Sequence, residues 1–257
     1  MEIRDKTIVI TGGASGIGAA MARRFAAEGA KKIVCADRDL AGAQAVADEI
    51  GGVAIKTDVS LAADISHLIE TVESDIGPID LFVSNAGIIT GGGVEVDDAD
   101  WQNIWDINVL AHIRVARILV PKMLARGGGY LLNTASAAGL LAQIGSAPYS
   151  VTKHAAVSFA EWLAITHGAE GLKVSVLCPQ GVDTPMIAGV DTSTVAKDGI
   201  VTPEHVADIC VEAIGDERFL ILPHPVVGDY IKQKGADPER WISGMQRWQA
   251  MLTEQTS

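Results

Sequence analysis

Tyr149 and Lys153 stand four residues apart in the run Tyr149-Ser150-Val151-Thr152-Lys153, thirteen residues after Ser136. Four residues is about one turn of an α-helix, so on a helix both side chains point the same way. A phenol titrates near pH ~10 and a lysine near ~10.4. An ammonium held beside the phenol stabilises the phenolate, which makes Tyr149 a candidate base nearer neutral pH. A lone pair of this kind is equally an exposed tyrosine and a solvated lysine, so the surrounding elements decide between the two.

Those elements alternate. Apolar, β-branched runs at Thr7–Thr11, Lys32–Ala36, Val53–Lys56, Leu81–Ser84, Tyr130–Thr134, Lys173–Cys178 and Phe219–Leu222 read as strands. Helical patterns separate them, including one from Ser60, a good N-cap, to about Ile76 and a long one from about Asp98 to Arg126. The Tyr149/Lys153 helix falls between the strands at Tyr130 and Lys173. Strict alternation with nearly continuous apolar strands predicts an α/β fold: a single doubly wound parallel sheet, Rossmann-type, with helices on both faces. With no linker or charge block, residues 1–257 read as one domain, with a substrate loop at about 185–202 and a helical tail at about 229–257.

The first strand ends in Thr11-Gly12-Gly13-Ala14-Ser15-Gly16-Ile17-Gly18 at the mouth of a helix. Glycines let the backbone turn tightly and approach a ligand closely, and a helix N-terminus offers free N–H groups to a phosphate. Between a strand and a helix, this turn reads as a dinucleotide site. Asp37 closes the second strand, nineteen residues after Gly18. A carboxylate there accepts hydrogen bonds from ribose hydroxyls and repels a 2′-phosphate, favouring NAD over NADP. Arg38 pulls the other way, or else faces water or stacks on adenine.

The chain has 257 residues and a net charge of −12, which argues against nucleic acid. No run approaches the roughly 20 apolar residues of a membrane span. The start lacks the pattern of a signal peptide. Cys35, Cys178 and Cys210 read as small buried hydrophobes of a reducing cytoplasm. Neither they nor the six histidines have metal-ligand spacing, so no metal is expected.

At this point the chain resembles the short-chain dehydrogenase/reductase family, in its roughly 250-residue form, from Lys6 to about Leu222. The glycine turn matches T-G-x-x-x-G-x-G. Asp58-Val59 matches a pair implied to contact adenine, and Asn85-Ala86-Gly87 matches the family's N-A-G along the cofactor. Asn108, Ser136, Tyr149 and Lys153 match the catalytic tetrad. The resemblance implies that Tyr149 exchanges a proton with the substrate oxygen and that Lys153 lowers its pKa and contacts the nicotinamide ribose. It implies that Ser136 hydrogen-bonds the substrate oxygen and that Asn108 holds a water behind Lys153. It also implies a homotetramer or homodimer. The family's P-G-x-V-x-T is here Pro179-Gln180-Gly181-Val182-Asp183-Thr184, with Gln180 in the glycine place. Pro179, Val182 and Thr184 keep their implied nicotinamide contacts, while Gln180 either enters the pocket or faces solvent.

By the same resemblance, Ala137–Gly145 and the segment from Pro185 form the pocket. Both are largely apolar, with Gln143 the main polar candidate and Met186 in the second. Neither holds an arginine, which argues against a fork for carboxylate or phosphate and favours a neutral, apolar secondary alcohol or ketone. Gly91-Gly92-Gly93 is a mobile rim or a turn, and Thr192 to about Thr202 is a candidate lid. Trp241, Met245 and Trp248 make one apolar helical face, for packing or for covering the site. Three functions fit this pattern: an NAD-dependent alcohol dehydrogenase; an NADPH-dependent ketone or 3-oxoacyl-thioester reductase; and a non-catalytic NAD-sensing binding protein, disfavoured by the complete tetrad.

Overall fold

Seven apolar runs become seven parallel strands: β1 (Thr7–Thr11), β2 (Lys32–Asp37), β3 (Val53–Lys56), β4 (Leu81–Ser84), β5 (Gly129–Thr134), β6 (Leu172–Leu177) and β7 (Leu220–Ile221). The computed structural model describes residues 1–188 and 197–256. The sheet order is β3-β2-β1-β4-β5-β6-β7. β1 lies between β2 and β4, pairing Val9 with Val34 and with Phe82. The order therefore reverses beside β1, and ligands of such sheets bind in the crevice above the carboxyl ends of the strands at that point.

The helices are α1 (Gly16–Ala27), α2 (Leu40–Ile50), α3 (Ala62–Thr71), α4 (Asp98–Trp105), α5 (Ala111–Ala125), α6 (Ala147–His167), α7 (Pro203–Gly215), α8 (Val226–Ala236) and α9 (Pro238–Thr256). Met21, Phe25, Val46, Val206 and Cys210 pack α1, α2 and α7 on one face of the sheet. Leu68, Leu119, Met123 and Leu163 pack α3, α5 and α6 on the other. Buried side chains of this size are each worth about 1.5–3 kcal/mol relative to exposure, which is why strands buried on both faces carry so little polarity. Local chemistry sets the helix ends. Asp39 caps α2 by accepting from Gly42 N at 3.1 Å, and Thr202 caps α7 by accepting from His205 N at 3.2 Å, ahead of Pro203.

One local expectation changes. Ser60 is not an N-cap: its N–H (2.9 Å) and hydroxyl (2.6 Å) both donate to the Asp58 carboxylate, and α3 begins only at Ala62. A short side chain hydrogen-bonding within its own turn competes with helix formation in this way. The long helical region runs on through α4 and α5, with a π-turn at Asp106–Leu110 between them that buries Asn108. The tail is two helices, divided at Asp237, whose carboxylate caps α9 by accepting from Arg240 N at 2.9 Å. Among the described residues no helix is long and apolar enough to cross a membrane.

Candidate active site

A cleft of about 1120 Å³ opens above the carboxyl ends of the strands. It exceeds the ~300–1,000 Å³ of a pocket for one small ligand, leaving room for a dinucleotide with a second molecule. Gly12, Ser15, Gly16, Ile17, Asp37, Arg38, Asp58, Val59, Asn85, Ala86 and Gly87 line one part of it. Ser136, Gln143, Tyr149, Lys153, Pro179, Gln180, Val182, Thr184 and Met186 line the rest. Two expected site residues stand behind the wall instead. Gly18 lies in α1, where a Cβ would stand 2.0 Å from the Gly12 carbonyl oxygen, so its role is to let the helix close on the turn. Asn108 is fully buried behind Ile88.

The glycine turn suits a diphosphate. Gly12 and Gly16 have φ of +68° and +52°, a conformation glycine adopts freely. The turn runs into the N-terminus of α1, whose first turn carries no acidic side chain. Asp37 Oδ2 accepts from Ala14 N at 3.1 Å and Oδ1 from Asp39 N at 3.0 Å, which holds the carboxylate on the cleft wall. Arg38 is exposed beside it. Asn85 joins strands rather than reaching outward: Nδ2 donates to Thr11 O at 3.0 Å, and Oδ1 accepts from Thr134 Oγ1 at 3.2 Å. The residues present therefore fit a nicotinamide dinucleotide, with a phosphate-accepting turn at one side and an acid for the ribose at the other.

The reacting groups come from β5, its following turn and α6. Ser136 Oγ donates to Pro179 O at 3.3 Å and accepts from Ala138 N at 3.1 Å. The 3₁₀ turn Ala137–Gly139 packs on α6 so closely that a Cβ on Gly139 would stand 2.4 Å from the Lys153 carbonyl oxygen. That approach fixes Ser136 against the helix carrying Tyr149 and Lys153. Lys153 is buried, donates from Nζ to Thr134 O at 3.1 Å, and lies 5.6 Å from the centre of the Tyr149 ring. Asn108 Oδ1 accepts from Ile88 N at 3.0 Å, while Nδ2 donates to Ile88 O at 2.9 Å and Thr152 Oγ1 at 3.3 Å. It ties the end of the Asn85 turn to α6.

Burial pushes the Tyr149 phenol above its usual value, with the Ser136 hydroxyl pulling the other way and the Cys178 thiol adding to the rise. Burial also pushes Lys153 down to about 8. Both charged forms lose hydration in the cleft. At neutral pH Tyr149 is a phenol and Lys153 still mostly an ammonium, so the protein by itself presents a proton donor.

Gln180 resolves into the pocket. Its Nε2 donates to Asp198 Oδ2 at 3.0 Å, its backbone N–H donates to His224 Nδ1 at 3.3 Å, and its Oε1 is buried without a partner. Tyr230 Oη donates to Asp198 Oδ1 at 3.0 Å. The turn after β6 is thus bonded to the segment before α7 and to α8. Gln143 lines the cleft with its side-chain amide turned to Ile144 O at 3.3 Å. Gly92 is a turn pinned in place, donating to Gly145 O at 2.9 Å and accepting from Ala147 N at 2.9 Å. Of the proposed lid at Thr192–Thr202, residues 192–196 lie outside the described residues. Trp241, Met245 and Trp248 all line the cleft, so α9 covers the site of its own chain. With them come residues that single-segment reasoning missed: Ile88, Thr134, Lys197, Asp198, Tyr230, Arg240 and Arg247. Ile88 and Thr134 carry no distinguishing signal of their own. Ala137–Gly145 and the segment from Pro185 hold no arginine, but Arg38, Arg240 and Arg247 line the cleft.

The family profile described as short chain dehydrogenase matches residues 6–194. A 1-deoxy-11-beta-hydroxypentalenate dehydrogenase of Streptomyces exfoliatus is 36% identical over 253 residues, covering 95% of this chain and 92% of that protein. A short chain dehydrogenase/reductase from Burkholderia phymatum, crystallised with NAD, superposes with a TM-score of 0.85 at 30% identity, over 93% of this chain and 96% of that one. A 3-ketoacyl-(acyl-carrier-protein) reductase from Brucella melitensis, complexed with NADH, has a TM-score of 0.81 at 29% identity, over 86% and 97%. The chain belongs to the short-chain dehydrogenase/reductase family of nicotinamide-dependent oxidoreductases.

Proposed function

We propose that the protein is an NAD-dependent alcohol dehydrogenase, interconverting a secondary alcohol and its ketone on a largely apolar body that is neutral around the reacting carbon. The observation that carries this reading is the convergence of Ser136, Tyr149 and Lys153 on the same cleft as the glycine turn and Asp37. The nicotinamide, when bound, supplies hydride exchange at its C4 position. The chain's own residues manage the oxygen. Ser136 and Tyr149 hydrogen-bond it, Tyr149 gives its proton in reduction and takes one in oxidation, and Lys153 favours the phenolate left behind. Asn108 positions this group from behind through Ile88 and Thr152. Asp37 favours NAD, since a 2′-phosphate beside its carboxylate meets like charge.

The second reading is an NADPH-dependent reductase of a ketone or 3-oxoacyl thioester. Arg38, exposed on the same wall without an ion pair among the described residues, favours its cofactor, while the likeness to a ketoacyl reductase complexed with NADH favours its substrate class alone. For assembly, a homotetramer or homodimer is the proposal. Val151, Trp162 and Ile165 form an exposed apolar strip on α6, 47%, 54% and 75% accessible, which is the kind of face a second subunit covers. A cytoplasmic site of action fits the three free, buried cysteines.

The test supplies NAD or NADP with a panel of secondary alcohols, follows reduced-cofactor absorbance, and measures Kd for both cofactors. Turnover with NAD, lost in Tyr149→Phe, is the expected result. Tighter NADP binding refutes the cofactor assignment. Silence across the panel, with NAD bound in an intact pocket, points to an NAD-sensing protein instead.

A further inference from the structure

The cations of this acidic chain are not spread evenly around the cleft. Lys153 is the cation at the reacting end, and it is buried. The same wall carries the apolar side chains Leu141, Ile144, Met186, Trp241 and Met245. Lys197, Arg240 and Arg247, all exposed, line it from α9 and the segment before α7. Resting on the dehydrogenase reading above, we propose that the substrate carries an anionic oxygen group, carboxylate or phosphate, remote from its reacting carbon, and that Arg240 and Arg247, with Lys197, receive it.

Arg240 and Arg247 are seven residues apart on α9, about two turns, so they share a face. Trp241 and Trp248 repeat the same spacing, and Gly244 between them lines the cleft without a side chain. Lys197 is held there by two rings, its Nζ 4.9 Å from the centre of Trp248 and 5.7 Å from that of Tyr230. Arg23, Arg24, Arg114, Arg126 and Arg218 are each paired with a carboxylate. Among the described residues, Arg240, Arg247 and Lys197 enter no ion pair. Two carboxylates share this rim, and other donors occupy both. Asp198 is held by Gln180 and Tyr230, and Asp237 by Arg240 N. In a protein of net charge −12, leaving paired guanidinium forks free at the mouth of an apolar cleft matches a ligand with a greasy body and an anionic end.

The test uses matched pairs. Secondary hydroxy acids of increasing chain length are each compared with their methyl esters, and 3-hydroxyacyl coenzyme A thioesters with a small neutral thioester of the same acyl group. The expected result is a kcat/KM preference for the anion of roughly tenfold in at least one pair, shrinking with added salt. In R240Q/R247Q the preference falls toward parity, while R4Q/R117Q, with the same change of net charge, keeps it. The hydroxy-acid and thioester pairs separate carboxylate from phosphate. Equal kcat/KM within every pair, or a preference that survives R240Q/R247Q, overturns the proposal. Weaker NAD binding in that variant with the preference intact assigns the arginines to the cofactor and overturns it too. A binding arm keeps this separate from the dehydrogenase reading: quenching of tryptophan fluorescence by an alkanoate is compared with the alkanol of equal length. Selective, arginine-dependent alkanoate binding without turnover of any pair supports the anion site and sinks the dehydrogenase reading. Turnover without anion preference does the reverse.

Discussion

The cleft has two halves built on different principles. The half around the glycine turn, Asp37 and Asn85 is made of strand ends, backbone groups and short side chains that bond to one another. The half under α8 and α9 is made of long side chains (Lys197, Tyr230, Arg240, Trp241, Arg247 and Trp248) brought from the last quarter of the chain. The first half is specified by tolerances. A Cβ on Gly18 or Gly139 meets backbone at 2.0 Å or 2.4 Å. The second is specified by which side chains face inward, and its arginines are exposed. A scaffold that must hold one cofactor in one pose is packed like a core, while a surface that selects a substrate can be rewritten without disturbing it.

Four experiments break or sharpen that contrast. The largest effect belongs to the junction. Tyr149→Phe should lower kcat by about 10²–10⁴-fold while leaving the Kd for NAD close to wild type, checked by steady-state rates and titration. Retention of most of the activity would remove Tyr149 from proton transfer.

Next is the acid side of the packed half. His112 is buried on α5, and burial, then the charge of Lys153, push its imidazole down to about 3. Its folded pKa lies below the unfolded value near ~6.5, so the unfolded chain binds more protons between the two. Stability should therefore fall as pH drops below about 6.5, by up to ~1.4 kcal/mol per pH unit, in urea titrations. A profile flat down to pH ~4 would mean that His112 is not held neutral.

Third, Gly18→Ala should cost about 1–3 kcal/mol through the clash with the Gly12 carbonyl, lowering Tm by about 2–4 °C per kcal/mol and weakening NAD binding. Arg247→Ala, in the other half, should stay within about 0.5 kcal/mol. Equal thermal shifts would erase the contrast between the halves.

The smallest effect concerns the bridge between them. Gln180→Ala and Asp198→Ala should be non-additive in kcat/KM by about 0.5–1.5 kcal/mol, because both remove the same hydrogen bond. Strict additivity would make Gln180 a bystander.

Much of the fold is legible in the residues because strands buried on both faces must be apolar and turns between parallel elements need particular backbones. The run Thr7–Thr11 is a strand with the bounds expected of it. Ser60 misleads because its hydroxyl has a nearer partner in Asp58, a choice that composition does not show. The π-turn at Asp106–Leu110 escapes because it depends on Asn108 finding the Ile88 backbone, twenty residues away in sequence. The glycine turn and the Tyr149/Lys153 pair are legible because each works through local geometry, a turn or a helix period; Asp37 is legible from its distance to that turn, and Ser136 only from the family resemblance. Lys197, Arg240 and Arg247 are not, because their significance lies in what they face.

By itself, then, the sequence determined a doubly wound sheet, a phosphate-accepting turn and a tyrosine–lysine pair on one helical face, since periodicity and glycine tolerance act over a few residues. Only the tertiary structure set the burial of that pair, which raises the Tyr149 phenol and lowers Lys153 to about 8, because burial depends on what packs around the helix. Only it brought the arginines of α9 over an apolar cleft, because which surface a helix covers depends on where the chain before it ends.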